Sequence, residues 1–356
     1  MTTQTLWQNI MNYGSFDRMP VLHWASWPET RIRWEQEGMP AGADERTYFS
    51  ADPHLYFIRI NLGLYPAFDE KVLEETAEYR ILRDAEGVIQ KVWIGKSSIP
   101  HYIDYSLKVA ADWDTYKKRL QPAPGRIPAN LDEQIISAYA SGQPITLDTG
   151  SLMGWIRNWM GIENMSFLMY DHPDIYGDMV NTIADLTCWG IDQIMTRMKS
   201  PPDMAFGWED ICGKNGPLVS PSIFIKHVAP AYAKIRQKCS SYGINLLGID
   251  CDGDIEQLAG HWFDAGVNVF LPIEIGSWNP DPMIYRKKYG RDFRIIGGFN
   301  KMELEKGPAA IDAEIERRLP LMKDGGFILL PDHLITPGTC LDNYKYYLDR
   351  VRCLRF

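Results

Sequence analysis

The sequence is poor in the features that mark membrane, secreted or nucleic-acid-binding proteins. Its 356 residues carry a formal net charge of −9. This charge argues against nucleic acid as a main partner, because phosphate binding requires a basic face. Residues 1–7 have neither the basic nor the apolar region of a signal peptide, so none is expected. No uninterrupted apolar run approaches ~18 residues, so we also expect no membrane span.

Cysteine pairs and glycine-rich loops are also missing. The chain has 6 cysteines and none forms a Cys-x-x-Cys pair. In a chain of this length, such cysteines are typical of reduced thiols in the cytoplasm rather than of a disulfide framework. No Gly-x-Gly-x-x-Gly follows the first predicted strand, which weakens a dinucleotide-binding fold. We therefore expect a cytoplasmic protein without a nucleotide cofactor.

What the sequence does contain is a regular α/β alternation of predicted strands and helices. The strands are predicted to begin near residues 21, 56, 145, 204, 244, 267, 293 and 327. This alternation indicates a parallel sheet. Eight units favour a (β/α)8 TIM barrel that occupies residues 1–356 as a single domain, with a doubly wound open sheet as the alternative. A β-hairpin excursion is predicted near 79–94, with Gly87 in its turn.

An acidic turn lies between a predicted strand and a predicted helix at residues 248–254, which read Gly-Ile-Asp-Cys-Asp-Gly-Asp. Strand-to-helix turns of this kind are where α/β proteins bind ligands. Asp250 and Asp252 share this short loop. Two carboxylates held that close repel each other unless a cation, a proton or a pair of donors lies between them. The turn is therefore a candidate functional site.

Other polar and aromatic residues stand at or near the predicted carboxyl ends of strands, which face the active site in a barrel. We expect substrate contacts from His23, Trp24, Asn61, Asp148, Trp208, Glu209, Glu274 and Trp278. His333 directly follows the last strand and suits proton transfer or metal binding. For Asp148 the alternative is a role in capping a turn.

Several motifs together resemble the uroporphyrinogen decarboxylase superfamily over nearly the whole chain. They are Trp-Glu-Asp at 208–210, Gly-Pro-Leu-Val-Ser-Pro at 216–221, the acidic turn at 250–254, Gly-Gly-Phe-Asn-Lys at 297–301, Gly-Gly-Phe-Ile-Leu-Leu-Pro-Asp-His-Leu-Ile-Thr-Pro at 325–337 and Asn-Tyr-Lys-Tyr-Tyr at 343–347. The resemblance implies a (β/α)8 barrel. It also implies one of two activities, a cofactor-free decarboxylase or a methyltransferase linked to a corrinoid.

The decarboxylase branch matches this chain poorly at its site. Its substrate carboxylates are held by two arginines, whose positions fall near Ala25 and Glu29 here. Its aspartate that holds the pyrrole N–H groups corresponds to Asn61, and only its late histidine matches, as His333. A highly anionic porphyrinogen would meet an uncompensated desolvation cost in such a site.

The methyltransferase branch implies a different site. Many of its members hold zinc through a His, a Cys and a later Cys, and these positions correspond to Asp250, Asp252 and His333. This harder donor set implies a metal site for zinc or another divalent ion, or an acid–base site without metal. In either case these three residues are the expected catalytic groups.

The resemblance thus favours a corrinoid-dependent methyltransferase or O-demethylase that acts on a small methylated substrate. It implies cobalamin carried on a partner corrinoid protein, and a homodimer is also expected. The alternatives are a uroporphyrinogen-type decarboxylase with His333 as proton donor, and a non-catalytic barrel that binds a tetrapyrrole or corrinoid.

Overall fold

A computed structural model describes residues 1–95, 100–276 and 278–356. The helices are α1 (Thr3–Met11), α2 (Pro28–Gln36), α3 (Glu45–Tyr48), α4 (Trp113–Lys118), α5 (Leu131–Ser141), α6 (Gly154–Asp171), α7 (Pro173–Met195), α8 (Pro221–Ile223), α9 (Ala229–Ser241), α10 (Glu256–Asp264), α11 (Pro282–Tyr289), α12 (Pro308–Asp324) and α13 (Leu341–Cys353). The strands are β1 (Tyr56–Ile58), β2 (Lys71–Glu75), β3 (Tyr79–Arg83), β4 (Ile89–Trp93), β5 (His101–Asp104), β6 (Ile145–Gly150), β7 (Met204–Trp208), β8 (Cys212–Gly213), β9 (Gly216–Pro217), β10 (Leu247–Asp250), β11 (Val269–Leu271), β12 (Arg294–Phe299) and β13 (Phe327–Pro331).

A parallel sheet forms the centre of the molecule. Within the described residues it has seven strands in the order β1-β6-β7-β10-β11-β12-β13. The sheet curls into a half-barrel, and helices connect most of its successive strands. β12 and β13 are buried along their whole length, which explains their continuous apolar and glycine-rich sequences. The fold is a (β/α)8 barrel, as the alternation of elements predicted.

The predicted first strand is the point where the prediction is wrong. Residues 21–24 are not a strand in the described structure, and the chain there pairs only through an isolated parallel bridge between Ser26 and Ile335. Asp52 N–H donates to the Val21 carbonyl at 2.7 Å, and its carboxylate accepts from Val21 N–H at 2.8 Å. The Asp52 carboxylate therefore accepts a hydrogen bond that a carbonyl group of a neighbouring strand would otherwise accept. We call the gap between residues 21–26 and β1 the seam.

Helix α1 lies at the amino ends of the strands. Gln4 and Gln8 donate to the Asp203 carboxylate just before β7, at 2.9 and 2.5 Å. The Arg294 side chain in β12 donates to the Met11 carbonyl at 2.6 Å. The helix therefore covers the end of the barrel opposite the strand carboxyl ends, and its Leu6, Trp7 and Ile10 side chains are buried.

The β-hairpin predicted near 79–94 is confirmed. β3 and β4 pair antiparallel from Tyr79 with Trp93 to Arg83 with Ile89, and Gly87 in the turn has φ 84°. The excursion is larger than predicted, because β2 and β5 extend it to a four-stranded antiparallel sheet. None of the helices in the described part of the chain is long and apolar enough to cross a membrane.

Candidate active site

Three ionisable side chains meet at the carboxyl ends of the strands. Asp252 follows β10, Glu274 follows β11 and His333 follows β13, so three loops at the same end of the barrel each supply one group. One donor atom from each lies within 4.8 Å of the other two. His333 Nε2 lies 3.4 Å from Asp252 Oδ2. We call Asp252, Glu274 and His333 the mouth cluster.

Backbone contacts between the loops fix the two carboxylates. Gly253 has φ 83°, a conformation that favours glycine, and its N–H donates to Glu274 Oε2 at 2.8 Å. The buried Asn279 side chain donates to the carbonyls of Gly253 and Glu274, at 2.7 Å each. Asn279 therefore ties together the loops that carry Asp252 and Glu274.

Lys301 is the nearest cation to Glu274. Its Nζ lies 2.8 Å from Glu274 Oε1 and 3.7 Å from Asp332 Oδ1. Asp332 is buried, and burial raises the pKa of its carboxyl group while Lys301 opposes that shift. The Asp332 carboxylate also accepts from the Ile275 and Lys301 N–H groups, at 2.8 and 3.0 Å. It therefore holds the loops that follow β11 and β12.

His333 has the surroundings of an acid–base group. Its hydrogen bond with Asp252 raises the pKa of the imidazole, against the lowering effect of burial. Its ring stacks on Trp27, with ring centroids 5.9 Å apart and an interplanar angle of 25°. A histidine oriented by a carboxylate and by a ring can hold a proton at a fixed place near neutral pH.

The mouth cluster also suits a divalent cation. Asp252 Oδ1 is buried and has no hydrogen-bond partner among the described residues, and buried polar atoms are normally paired. Two carboxylates and an imidazole are ligands of zinc and of harder divalent ions. The three residues therefore fit such an ion, although Lys301 places a competing positive charge beside Glu274.

Asp250 does not join this cluster, although we predicted it as a ligand with Asp252 and His333. It is the last residue of β10 and lines a cavity inside the barrel. Burial raises the pKa of its carboxyl group well above the usual range, and Asp252 and Asp210 add to the effect. Glu274, predicted as a substrate contact, occupies the third place in the cluster instead.

Two other predicted site residues are buried away from the mouth. His23 is 3% exposed, and its ring nitrogens contact the Tyr344 hydroxyl and the Glu45 carboxylate at 2.7 Å each. Glu209 is 0% exposed, so its carboxylate is not accessible to a substrate here. Burial raises the pKa of Glu209, while hydroxyl and backbone donors around it lower that pKa.

Two predicted polar site residues instead make hydrogen bonds within loops or with a charged neighbour near the surface. Asn61 is exposed, and its side-chain oxygen accepts from Gly63 N–H at 3.0 Å. Asp148 accepts from Gly150 N–H at 2.9 Å, which is the turn-capping alternative weighed for it, and from Arg59 Nε at 2.9 Å. Neither residue contacts the mouth cluster.

The three predicted tryptophans lie in different places. Trp24 is 36% exposed and lines the interior cavity. Trp208 ends β7 and packs near Gly154 at the start of α6. Trp278 is half-buried in the loop after β11. The structure therefore does not gather them into one pocket wall.

Sequence reasoning assigned no role to Trp27, Asn279 and Lys301. Lys301 could have been found from the sequence, because it follows the strand predicted near 293 and ends the Gly-Gly-Phe-Asn-Lys motif. Trp27 and Asn279 had none, since their roles depend on which loop packs against them. Asp210, the last residue of the Trp-Glu-Asp motif, has φ 47° and precedes the β8–β9 hairpin.

The comparisons with known proteins agree with this architecture. The family model of uroporphyrinogen decarboxylase (URO-D) matches residues 79–354. Among solved structures, a methyltransferase from Methanosarcina mazei superposes with a TM-score of 0.60 at 15% sequence identity, over 99% of this chain and 98% of that chain. At this identity the likeness concerns the fold. No curated protein matches the chain in sequence. The chain belongs to the uroporphyrinogen decarboxylase (URO-D) family.

Proposed function

We propose that this protein is a methyltransferase that removes the methyl group of a small methylated substrate and passes it to a corrinoid on a partner protein. The observation that carries the proposal is the mouth cluster, with Asp252, Glu274 and His333 donor atoms within 4.8 Å of one another. An ether oxygen gives up its methyl group readily only when that oxygen is protonated or coordinated. The cluster has the groups for that task.

The charge of the mouth favours methyl transfer over decarboxylation of a porphyrinogen. Asp210, Asp250 and Asp252 act on one another electrostatically, and the nearby Lys301 is already paired with Glu274. Arg157, which also acts on Asp210, donates to the Asp210 carbonyl and to Asn158. A substrate that carries many carboxylates would therefore face this negative field while the described cations beside it are already engaged. A neutral or cationic methylated substrate would not.

In this mechanism His333 holds the proton that the leaving heteroatom needs. Asp252 orients the imidazole, and Trp27 fixes the plane of its ring. Asn279 keeps the Asp252 and Glu274 loops at a constant separation. If Asp252, Glu274 and His333 held a divalent ion instead, His333 would be a ligand and not the acid, and the ion would supply Lewis acidity at the same place. In either case a reduced corrinoid would accept the methyl group.

The first test combines metal analysis with a methyl-transfer assay. We expect about one divalent ion per chain, lost in Asp252→Asn and His333→Gln. Loss of cob(I)alamin absorbance with a panel of methyl donors should slow by roughly 10²–10⁴-fold in His333→Gln, the usual contribution of a positioned acid–base group. Asp254→Asn is the matched control, because Asp254 lies in the same loop and, among the described residues, its side chain accepts only from Glu256 N–H at 3.0 Å.

Two outcomes would contradict the proposal. One is an unchanged cob(I)alamin spectrum with every donor, including methyl ethers and methylated amines. The other is production of coproporphyrinogen from uroporphyrinogen, which would establish the decarboxylase alternative. Full activity of metal-free wild-type protein would exclude the metal from the mechanism and leave His333 as the acid.

A further inference from the structure

The barrel interior contains a cavity of about 390 Å³. Its lining reaches both ends of the barrel, because Leu55 and Pro144 directly precede β1 and β6, whereas Asp250 and Leu271 end β10 and β11. The interior of a (β/α)8 barrel is ordinarily filled by side chains. The volume lies in the range of small-molecule sites, roughly 300–1,000 Å³. The interior therefore has room for a ligand.

The cavity wall is mostly apolar and rich in aromatic rings. The aromatic residues that line it are Trp7, Trp24, Phe57 and Phe206. Phe206 lies directly over Gly248, where an added Cβ would come within 2.4 Å of the ring. Gly248 and Asp250 are two residues apart on one strand and so point to the same face, about 7 Å apart. The Phe206 ring and the Asp250 carboxyl group therefore line the same cavity, and Phe57 lies next to Phe206 at a centroid distance of 6.2 Å.

Asp250 is the one carboxylate among the described residues that line the cavity. Its side chain makes no hydrogen bond or ion pair with another described residue. A carboxylate taken from water into an apolar cavity is costly unless a positive charge or donors compensate it. The charged groups acting on it are Asp252 and Asp210, both negative. A cationic ligand beside Asp250 would offset this cost, in competition with the proton that the same surroundings favour.

Arg46 and His54 lie at the other end of the cavity. His54 stands two residues before β1, and Arg46 belongs to α3 and is exposed. Arg46 is not among the charged groups that act on Asp250, so its solvated guanidinium does not compensate the carboxylate.

We propose that this cavity binds a small methylated ammonium cation, with the cationic nitrogen beside Asp250 and against the ring of Phe206. Aromatic faces combined with a carboxylate are the usual recognition elements for quaternary ammonium groups. The inference names the class of methyl donor and rests on the proposed function for the reaction, but cation binding itself does not depend on it. The nitrogen of a quaternary ammonium already has the positive charge that a proton would give to an ether oxygen. The methyl group passes to the reduced corrinoid, the electron pair of the broken N–C bond stays on nitrogen, and the donor leaves as a neutral amine without a proton from His333.

The test compares choline with its neutral isostere 3,3-dimethylbutan-1-ol, by titration calorimetry on the full-length protein without corrinoid. We expect choline to bind wild-type protein at least tenfold more tightly than the isostere. Asp250→Asn should remove most of this preference, and Phe206→Leu should reduce it. Asp254→Asn, in the same loop but outside the cavity lining, should bind choline as wild type does.

The comparison of two ligands on wild-type protein keeps the test decisive even if a variant does not fold. Equal binding of choline and the isostere, or binding of neither, would overturn the inference. Cation binding without methyl transfer to cob(I)alamin would support the cavity assignment and contradict the proposed function. Methyl transfer from ethers without cation binding would support the proposed function and contradict the cavity assignment.

Discussion

At the scale of single residues, Glu209 shows how a predicted site residue can prove structural. Its carboxylate accepts from the Ser151 hydroxyl at 2.7 Å and from the Leu152, Met153 and Gly154 N–H groups at 3.0, 2.7 and 2.8 Å. The Tyr232 hydroxyl donates as well. The three N–H groups belong to the start of α6, where a helix leaves its donors unpaired. Glu209 therefore joins β7 to α6.

We expect Glu209→Ala to lower the free energy of unfolding by about 3 kcal/mol or more, because several buried donors would lose their acceptor. Urea unfolding followed by circular dichroism measures this change. Glu163→Gln on the same helix is the control, since Glu163 is exposed and its substitution should change stability by less than about 0.5 kcal/mol. A Glu209→Ala protein as stable as the control would show that the donors find other acceptors.

At the scale of elements, the break inside α6 is the feature that sequence patterns could not locate. Gly161 has φ 76° and ψ 157° within the helix, a backbone conformation that residues other than glycine rarely adopt. An added Cβ would lie 2.7 Å from the ring of Tyr105. Helical periodicity predicts α7 well because its apolar stripe is unbroken, whereas the break changes which residues of α6 face the core.

Gly161→Ala should therefore destabilise the protein by about 1–3 kcal/mol through backbone strain alone, with the contact at Tyr105 adding to the loss. Gly213→Ala is a suitable control, because no atom lies within 4 Å of the position a Cβ would take there. Thermal unfolding of the two variants beside wild type gives the comparison. Equal midpoints for both variants would mean that α6 straightens without cost.

At the scale of the whole molecule, the sequence predicts the architecture better than the site. Strand and helix alternation indicates the barrel because each element needs only local periodicity. The separation of Asp250 from Asp252 was not predictable in this way. Alternation along a strand would place both on one face, but β10 ends at Asp250, and the turn at Gly253 with φ 83° redirects the chain. The proximity of Asp252 to His333 followed from the family resemblance and not from local pattern.

The seam is the part of the barrel that we expect to open most often in solution. β1 pairs in register with β6 on one side, while on its other side no ladder of backbone hydrogen bonds joins it to the described residues 21–26. Alternate amides of β1 therefore face the seam. Their protons should exchange with deuterated water far sooner than those of β7 and β10, which are paired on both sides. Hydrogen exchange measured on peptides from these strands would reveal this breathing, and uniform protection around the sheet would rule it out.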